Sequence, residues 1–316
     1  MTPLEFETAH TALWRELEGM LGRSERQIDP ERFLALYRLV CEHLALAQAR
    51  GFPTHVIARL ESIAARAHQI IYRRGEFGLE LLGDVLMRRF PQMVRLHRYY
   101  VAVAAACLLV PTIPLGIATY RDPDLILAIV DRNTAVQFEQ MYSPTASAIG
   151  HTRGIDSNWM MFGFYIKNNI GIAFQCYATG LAFGLGCMFY LFYNGAFGGG
   201  IAGYVAARGF GGTFFPFVAT HSAFELTAIV LSGAAGLRLG RAALLPGRQT
   251  RVAALESAAR ETSVIIFGAA VMLVIAAVIE AFWSSAAWVT PAAKYTAAAL
   301  CWALVLLFFL RRPDGR

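Results

Sequence analysis

Lysine is almost missing from this chain. Only two of its 28 basic side chains are Lys, and charged residues of either sign fill 16% of the 316 positions. Ordinary soluble domains are nearer a quarter charged, so this scarcity excludes a wholly soluble enzyme. Cysteine is sparse too. Of five, Cys107, Cys176, Cys187 and Cys301 fall in apolar stretches and Cys41 in a charged region, with no CxxC pair, which argues against a disulfide framework or a cysteine metal site. No apolar stretch opens the chain, because Glu5, Glu7, Arg15 and Glu16 interrupt it. A removable targeting segment is therefore not expected, and the N-terminal region is expected to stay in the cytoplasm. The net charge of +6 gathers beside apolar runs, where it reads as membrane topology rather than as a nucleic-acid footprint.

Long uncharged runs are what the chain does have. Twenty-two residues from Tyr99 to Tyr120 and forty from Asn168 to Ala207 carry no Asp, Glu, Lys or Arg, more than the ~20 residues that cross a bilayer as a helix. The first 98 residues, by contrast, hold 14 Arg and 12 Asp or Glu. The reading is all-α, in two regions: a soluble helical bundle over residues 1–97 and a polytopic transmembrane bundle over 98–312. In the first region Asp29 and Pro30 open a helix with Phe33, Leu36, Tyr37, Val40 and Leu44 at helical spacing, and Gly51 lies beyond its end. A similar pattern begins at Thr2-Pro3 and another at Thr54. A stretch from Phe77 to Phe90 leads to Pro91 and the first span, and is expected at the inner membrane surface.

Uninterrupted apolar length predicts about six spans, near 99–119, 169–193, 196–208, 213–236, 263–283 and 289–310. The forty-residue run is expected to turn at Asn194-Gly195. The third span is then short and glycine-rich and ends at Arg208, so it reads either as a short span or as a re-entrant helix. Loop 121–167, with an amphipathic piece at Leu125 to Met141, is expected outside the cell. Loop 238–261 holds Arg238, Arg241, Arg248, Arg251 and Arg260 and is expected inside, as are both termini.

Glycines repeat at four-residue spacing: Gly180 with Gly184, then Gly195, Gly199 and Gly203, then Gly236 with Gly240. In lipid such ridges let helix backbones approach closely, either within one bundle or across a homodimer seam. No Lys-Ser/Thr follows them, so they do not read as a phosphate cradle.

His221 and Glu225 stand four apart in an apolar helix, hence on one face about a turn from each other. An ionisable residue at bilayer depth costs a few kcal/mol (~2.5 to 3.5 for one acid on insertion scales) and needs partners. Asn168, Asn169, Gln175 and Asn194 offer amides in neighbouring spans, so a polar intramembrane site of these six residues is expected, as an interhelical clasp. Catalytic residues, metal and cofactor are all expected to be none. There is one His in the spans, no second imidazole, and Ser222 points about 100° away from His221. Glu280, followed by Trp283 and Trp288, is expected to snorkel to the outer interface, with a proton relay to Glu225 as the alternative. His10, His43, His55 and His68 show no metal-ligand spacing.

Several segments resemble the stage II sporulation protein M (SpoIIM) family over about residues 95–310. They are Asn168-Asn169-Ile170, the run Gly-Leu-Ala-Phe-Gly-Leu-Gly from Gly180 to Gly186, Asn194-Gly195, His221-Ser-Ala-Phe-Glu225 and Ala234-Ala-Gly236-Leu-Arg238-Leu-Gly240. Family members usually show His-Gly-x-x-Glu where this chain has His221-Ser222-x-x-Glu225. The resemblance implies a polytopic inner-membrane protein. In spore formers the family member works with a peptidoglycan hydrolase and its partner during engulfment, as a membrane component; relatives in other bacteria and archaea often sit beside genes for MoxR-type ATPases and von Willebrand A-like proteins. The expected role is a non-enzymatic membrane scaffold acting through protein partners. The alternatives are a channel or transporter built around His221 and Glu225, and, behind it, an intramembrane hydrolase.

Overall fold

The computed structural model describes residues 2–22, 29–71, 77–143 and 155–311. Among them are twelve α-helices and no strand. The chain forms two compact units, Met1–Leu82 and Gly83–Arg316.

In the first unit, α1 (Pro3–Leu21) starts at a capping box: the Glu5 N–H donates to Thr2 Oγ1, and the Thr2 N–H donates to the Glu5 carboxylate. Helix α2 (Pro30–Ala49) is capped by Asp29, and α3 (Thr54–Ile71) follows a turn in which Gly51 takes a positive φ of 61°. The three apolar faces close over one core around Phe6, Trp14, Leu17, Leu36, Leu60 and Ile63. Trp14 is fully buried, and its Nε1–H donates to His43 Nδ1 at 3.1 Å. Arg59 lies over the Trp14 ring and also pairs with Glu18 at 3.0 Å.

Burial, and next the adjacent His10, hold His43 below its ordinary value, with Glu42 opposing. His43 is thus neutral in the folded head and free to accept from Trp14. A His whose folded pKa is depressed contributes stability that is present above its unfolded value, about 6.5, and lost as pH falls through the folded value. Acidification from pH 7.5 to 5.5 should therefore lower the melting temperature of the head, read from Trp14 near-ultraviolet dichroism. The decline should be smaller in His43→Gln.

The second unit begins inside α4 (Phe77–Asp84), which passes through a π-helical turn, Val85–Arg89, into α5 (Phe90–Leu96). Its start precedes the boundary at residues 97 and 98 drawn from charge, because Phe90 and Val94 pack with Ala269 and Leu273 and the Phe90 ring occupies the space beside Gly268. Then come α6 (Arg98–Arg121), a 3-10 turn (Pro123–Ala128), α7 (Arg132–Tyr142), α8 (Ile155–Ala178), a 3-10 turn (Thr179–Leu181), α9 (Leu185–Ala207) and α10 (Gly211–Leu244). Helix α11 (Arg251–Val278) runs into a π-helical turn, Ile279–Ser284, before α12 (Pro291–Leu310). Helix α6 packs along α9, and α10 lies against α6, α8, α9, α11 and α12. It is the central element, as its high share of buried small residues requires.

Among the described residues, four helices are long and apolar enough to cross a membrane: Arg98–Arg121, Gly211–Leu244, Arg251–Ser284 and Pro291–Leu310. Helices α8 and α9 have 24 and 23 residues, but Asp156 and Lys167 in the first and Asn194 with its glycines in the second dilute their apolarity.

The structure corrects two of the sequence boundaries. The forty-residue uncharged run does not turn at Asn194-Gly195. It turns at 179–184, where Phe183 and Gly184 take positive φ of 54° and 83°, and α9 then continues unbroken through Asn194, so residues 195–207 are not a helix of their own. Glycine weakens a helix by about 1 kcal/mol per residue, but here close packing against α6 offsets that loss. Helix α10 does not end at Arg238 but runs to Leu244. Arg238 pairs with Glu261 of α11 at 3.0 Å, so its charge does not break the helix, and of the loop expected over 238–261 only residues 245–250 lie between helices. Loop 121–167 carries the 3-10 turn and α7 where an amphipathic piece is expected, and α8 already begins within it at Ile155; residues 144–154 lie outside the described residues.

Candidate functional site

The glycine ridges fix the frame around the site. A Cβ at Gly195 would fall on the Leu108 carbonyl, at Gly199 on that of Thr112 and at Gly203 on that of Gly116, so α6 and α9 touch backbone to backbone over three turns. Thr119 Oγ1 adds a 2.9 Å hydrogen bond to the Gly200 carbonyl. The turn between α8 and α9 docks on α10 in the same way: Gly180 lies against Gly236, and Gly240 against Gly184, whose own open side meets Leu237. All seven glycines singled out by spacing thus meet another segment of the same chain.

Within this frame α10 presents His221 and Glu225 one turn apart, with Nε2 and Oε2 separated by 3.7 Å. Glu280 comes from the π-helical turn that ends α11 and places Oε1 4.0 Å from the same imidazole nitrogen. One donor atom from each of the three residues lies within 4.8 Å of the others. The second imidazole nitrogen, Nδ1, is 3.1 Å from Ser284 Oγ on the same turn, a hydrogen bond whose direction the tautomer sets. His221 and Ser284 are buried, and Glu280 is 8% exposed. Its second oxygen, Oε2, is buried with no hydrogen-bond partner. A π turn widens the helix locally and recurs at functional sites; here one such turn supplies both Glu280, toward Nε2, and Ser284, toward Nδ1 of the same ring.

A further polar layer surrounds the cluster. The buried Lys294 of α12 donates from Nζ to the Ser284 carbonyl at 2.7 Å, and Thr220 Oγ1 donates to the Lys294 carbonyl at 3.3 Å. The Phe217 ring stands edge-on to His221 at 5.4 Å, and Tyr142 of α7 packs on Phe217. Burial, with Tyr165, Glu280 and Glu225 nearby, raises the Tyr142 phenol above its ordinary value.

Glu280 therefore does not snorkel to an interface, because the end of α11 turns inward against α10. The amides of Asn168 and Asn194 donate to groups other than His221 and Glu225. Asn194 donates to the Tyr190 carbonyl of its own helix at 2.7 Å, Asn168 donates to Asn169 at 3.0 Å, and Gln175 is exposed. Asn169 is buried with its Nδ2 unpartnered. Sequence reasoning passed over Ser284 and Lys294, and it assigned Glu280 elsewhere. One signal was available: Glu280 is the single acid in the apolar run 263–283, the same argument that picked out Glu225.

A second cluster joins α10 and α11 to the residue before α6. Arg238 and Glu261 pair as above, and His97 Nε2 lies 3.7 Å from the same Glu261 oxygen. Burial lowers the His97 pKa, with Glu261 opposing and Arg238 reinforcing the fall.

Apolar helices of spanning length, locked by glycine contacts around buried ionisable residues, define a polytopic membrane protein. The chain belongs to the stage II sporulation protein M family, whose description "Stage II sporulation protein M" matches residues 99–285. Residues 4–73 match a second family, described as "Domain of unknown function (DUF8413)". No curated protein and no solved structure matches the chain.

Proposed function

We propose that the protein is an integral scaffold or assembly component of the inner membrane that acts through protein partners. The observation that carries this reading is the set of backbone contacts at Gly195, Gly199, Gly203, Gly236 and Gly240, which makes the membrane unit a fixed frame. The first unit, with its own core, is the part available to recruit soluble partners. The topology that fits has six spans, counting α8 and α9, with both termini and the arginine-rich tip between α10 and α11 in the cytoplasm. A conduction path lined by His221, Glu225, Asn169 and Asn194 has less support, since the Asn194 amide donates to its own helix.

Affinity purification from membranes tests the proposal, comparing the full chain with a chain lacking residues 1–82. Loss of specific partners on removing the head is expected. The same partner set from both chains would defeat the recruiting role.

A further inference from the structure

The cluster of His221, Glu225 and Glu280 holds two carboxylates beside one imidazole, inside a bundle of apolar helices. Charge at such depth is costly unless it is matched. Lys294, in the polar layer around the cluster, directs its Nζ to the Ser284 carbonyl. The separations of 3.7 and 4.0 Å from His221 Nε2 to the two carboxylates are too long for hydrogen bonds. They are close to those of ligands sharing an ion, because donors each ~2.0–2.2 Å from a tetrahedral ion stand about 3.4 Å apart. The buried, unpartnered Glu280 Oε2 is a second and independent sign that this carboxyl group lacks a ligand. On the far side of the ring, Ser284 Oγ lies 3.1 Å from Nδ1 and can take either role in that bond. With the proton on Nδ1 and Ser284 accepting, the Nε2 lone pair faces the carboxylates, the arrangement of ligand and supporting partner found around metal-bound histidine.

We propose that His221, Glu225 and Glu280 bind one divalent transition-metal ion of the zinc class, which ties α10 to the end of α11. A dication neutralises both carboxylates at once, and the mixed nitrogen and oxygen donor set suits zinc better than calcium or magnesium, which take oxygen ligands. Three protein donors leave a fourth position for water or another ligand. The inference stands apart from the scaffold reading, for a metal can hold a frame whether or not that frame recruits partners.

The test uses the full chain purified in detergent, stripped with a chelator and dialysed out of it. Equilibrium dialysis against zinc should give one tightly held equivalent per chain, and zinc should raise the melting temperature. Glu280→Gln and His221→Ala should each weaken zinc binding by about 10-fold or more and abolish that rise. His10→Ala should leave both unchanged; it controls for zinc held by the His10–His43 pair in the head, whose rings lie 4.1 Å apart. Cobalt added to the wild-type chain should develop the visible absorption of a four- or five-coordinate site and lose it on addition of zinc. This reading needs no variant to fold. No tight equivalent, an equivalent lost in His10→Ala instead, or cobalt showing only the weak octahedral spectrum would each overturn the proposal.

Discussion

Gly199→Leu is expected to destabilise the membrane unit far more than Gly198→Leu, although the two residues are neighbours on α9. A Cβ at Gly199 would lie on the carbonyl, carbonyl carbon and Cα of Thr112, while one at Gly198 meets nothing within 4 Å. Backbone cannot rotate aside as a side chain can, so α6 and α9 must separate. Separation also loosens the contacts at Gly195 and Gly203 and the bond from Thr119 to Gly200. Overpacking in a core costs about 1–3 kcal/mol, and occasionally more. The upper end applies here, since association of helices in lipid rests on close packing and has no hydrophobic term to fall back on. The measurement is thermal stability of detergent-purified protein by loss of the monodisperse chromatographic peak. Gly199→Ala should fall between wild type and leucine. Equal melting of the two leucine variants would mean that the helices do not meet along this ridge.

Trp14→Ala should cost the head about 3–5 kcal/mol, the range for removing a buried aromatic side chain. Trp14 has no solvent exposure, touches Phe6, donates its indole N–H to His43 and lies beneath Arg59. Natural domains hold roughly 0.05–0.15 kcal/mol per residue of net stability, so for a small unit such a loss is a large fraction of the total. Hydrogen exchange on the full chain should show protection collapsing across α1, α2 and α3 and persisting in α10 and α11, which belong to the other unit. Protection retained in α1 would show that the core does not depend on this residue.

Local features of this protein could be read directly from its residues. The cap at Thr2 with Glu5, the helix after Asp29-Pro30 and the face shared by His221 and Glu225 all involve residues within four positions of one another, and helix geometry relates such residues without knowledge of the fold. The glycines were legible for a similar reason, because a four-residue repeat is a helical face. Their partners were not. Nothing in the spacing of Gly195, Gly199 and Gly203 says that they meet Leu108, Thr112 and Gly116 of the same chain rather than a second copy. The turn at 179–184 was missed because Asn194-Gly195 is the stronger turn dipeptide, yet in the folded bundle Asn194 bonds back to Tyr190 and Gly195 is needed against α6. Tertiary packing overrode the local preference.

By itself the sequence determined an all-helical membrane protein with a charged helical head, and it marked His221 and Glu225 as an ionisable pair on one apolar helix. Hydrophobic length and helical period carry that much, because both act along the chain. Only the tertiary structure decided that Glu280, from a π turn more than fifty residues away, completes the cluster with Ser284 behind the ring. Such a meeting depends on how two long helices cross and where one of them widens, and neither the crossing nor the widening is written in the period of either helix.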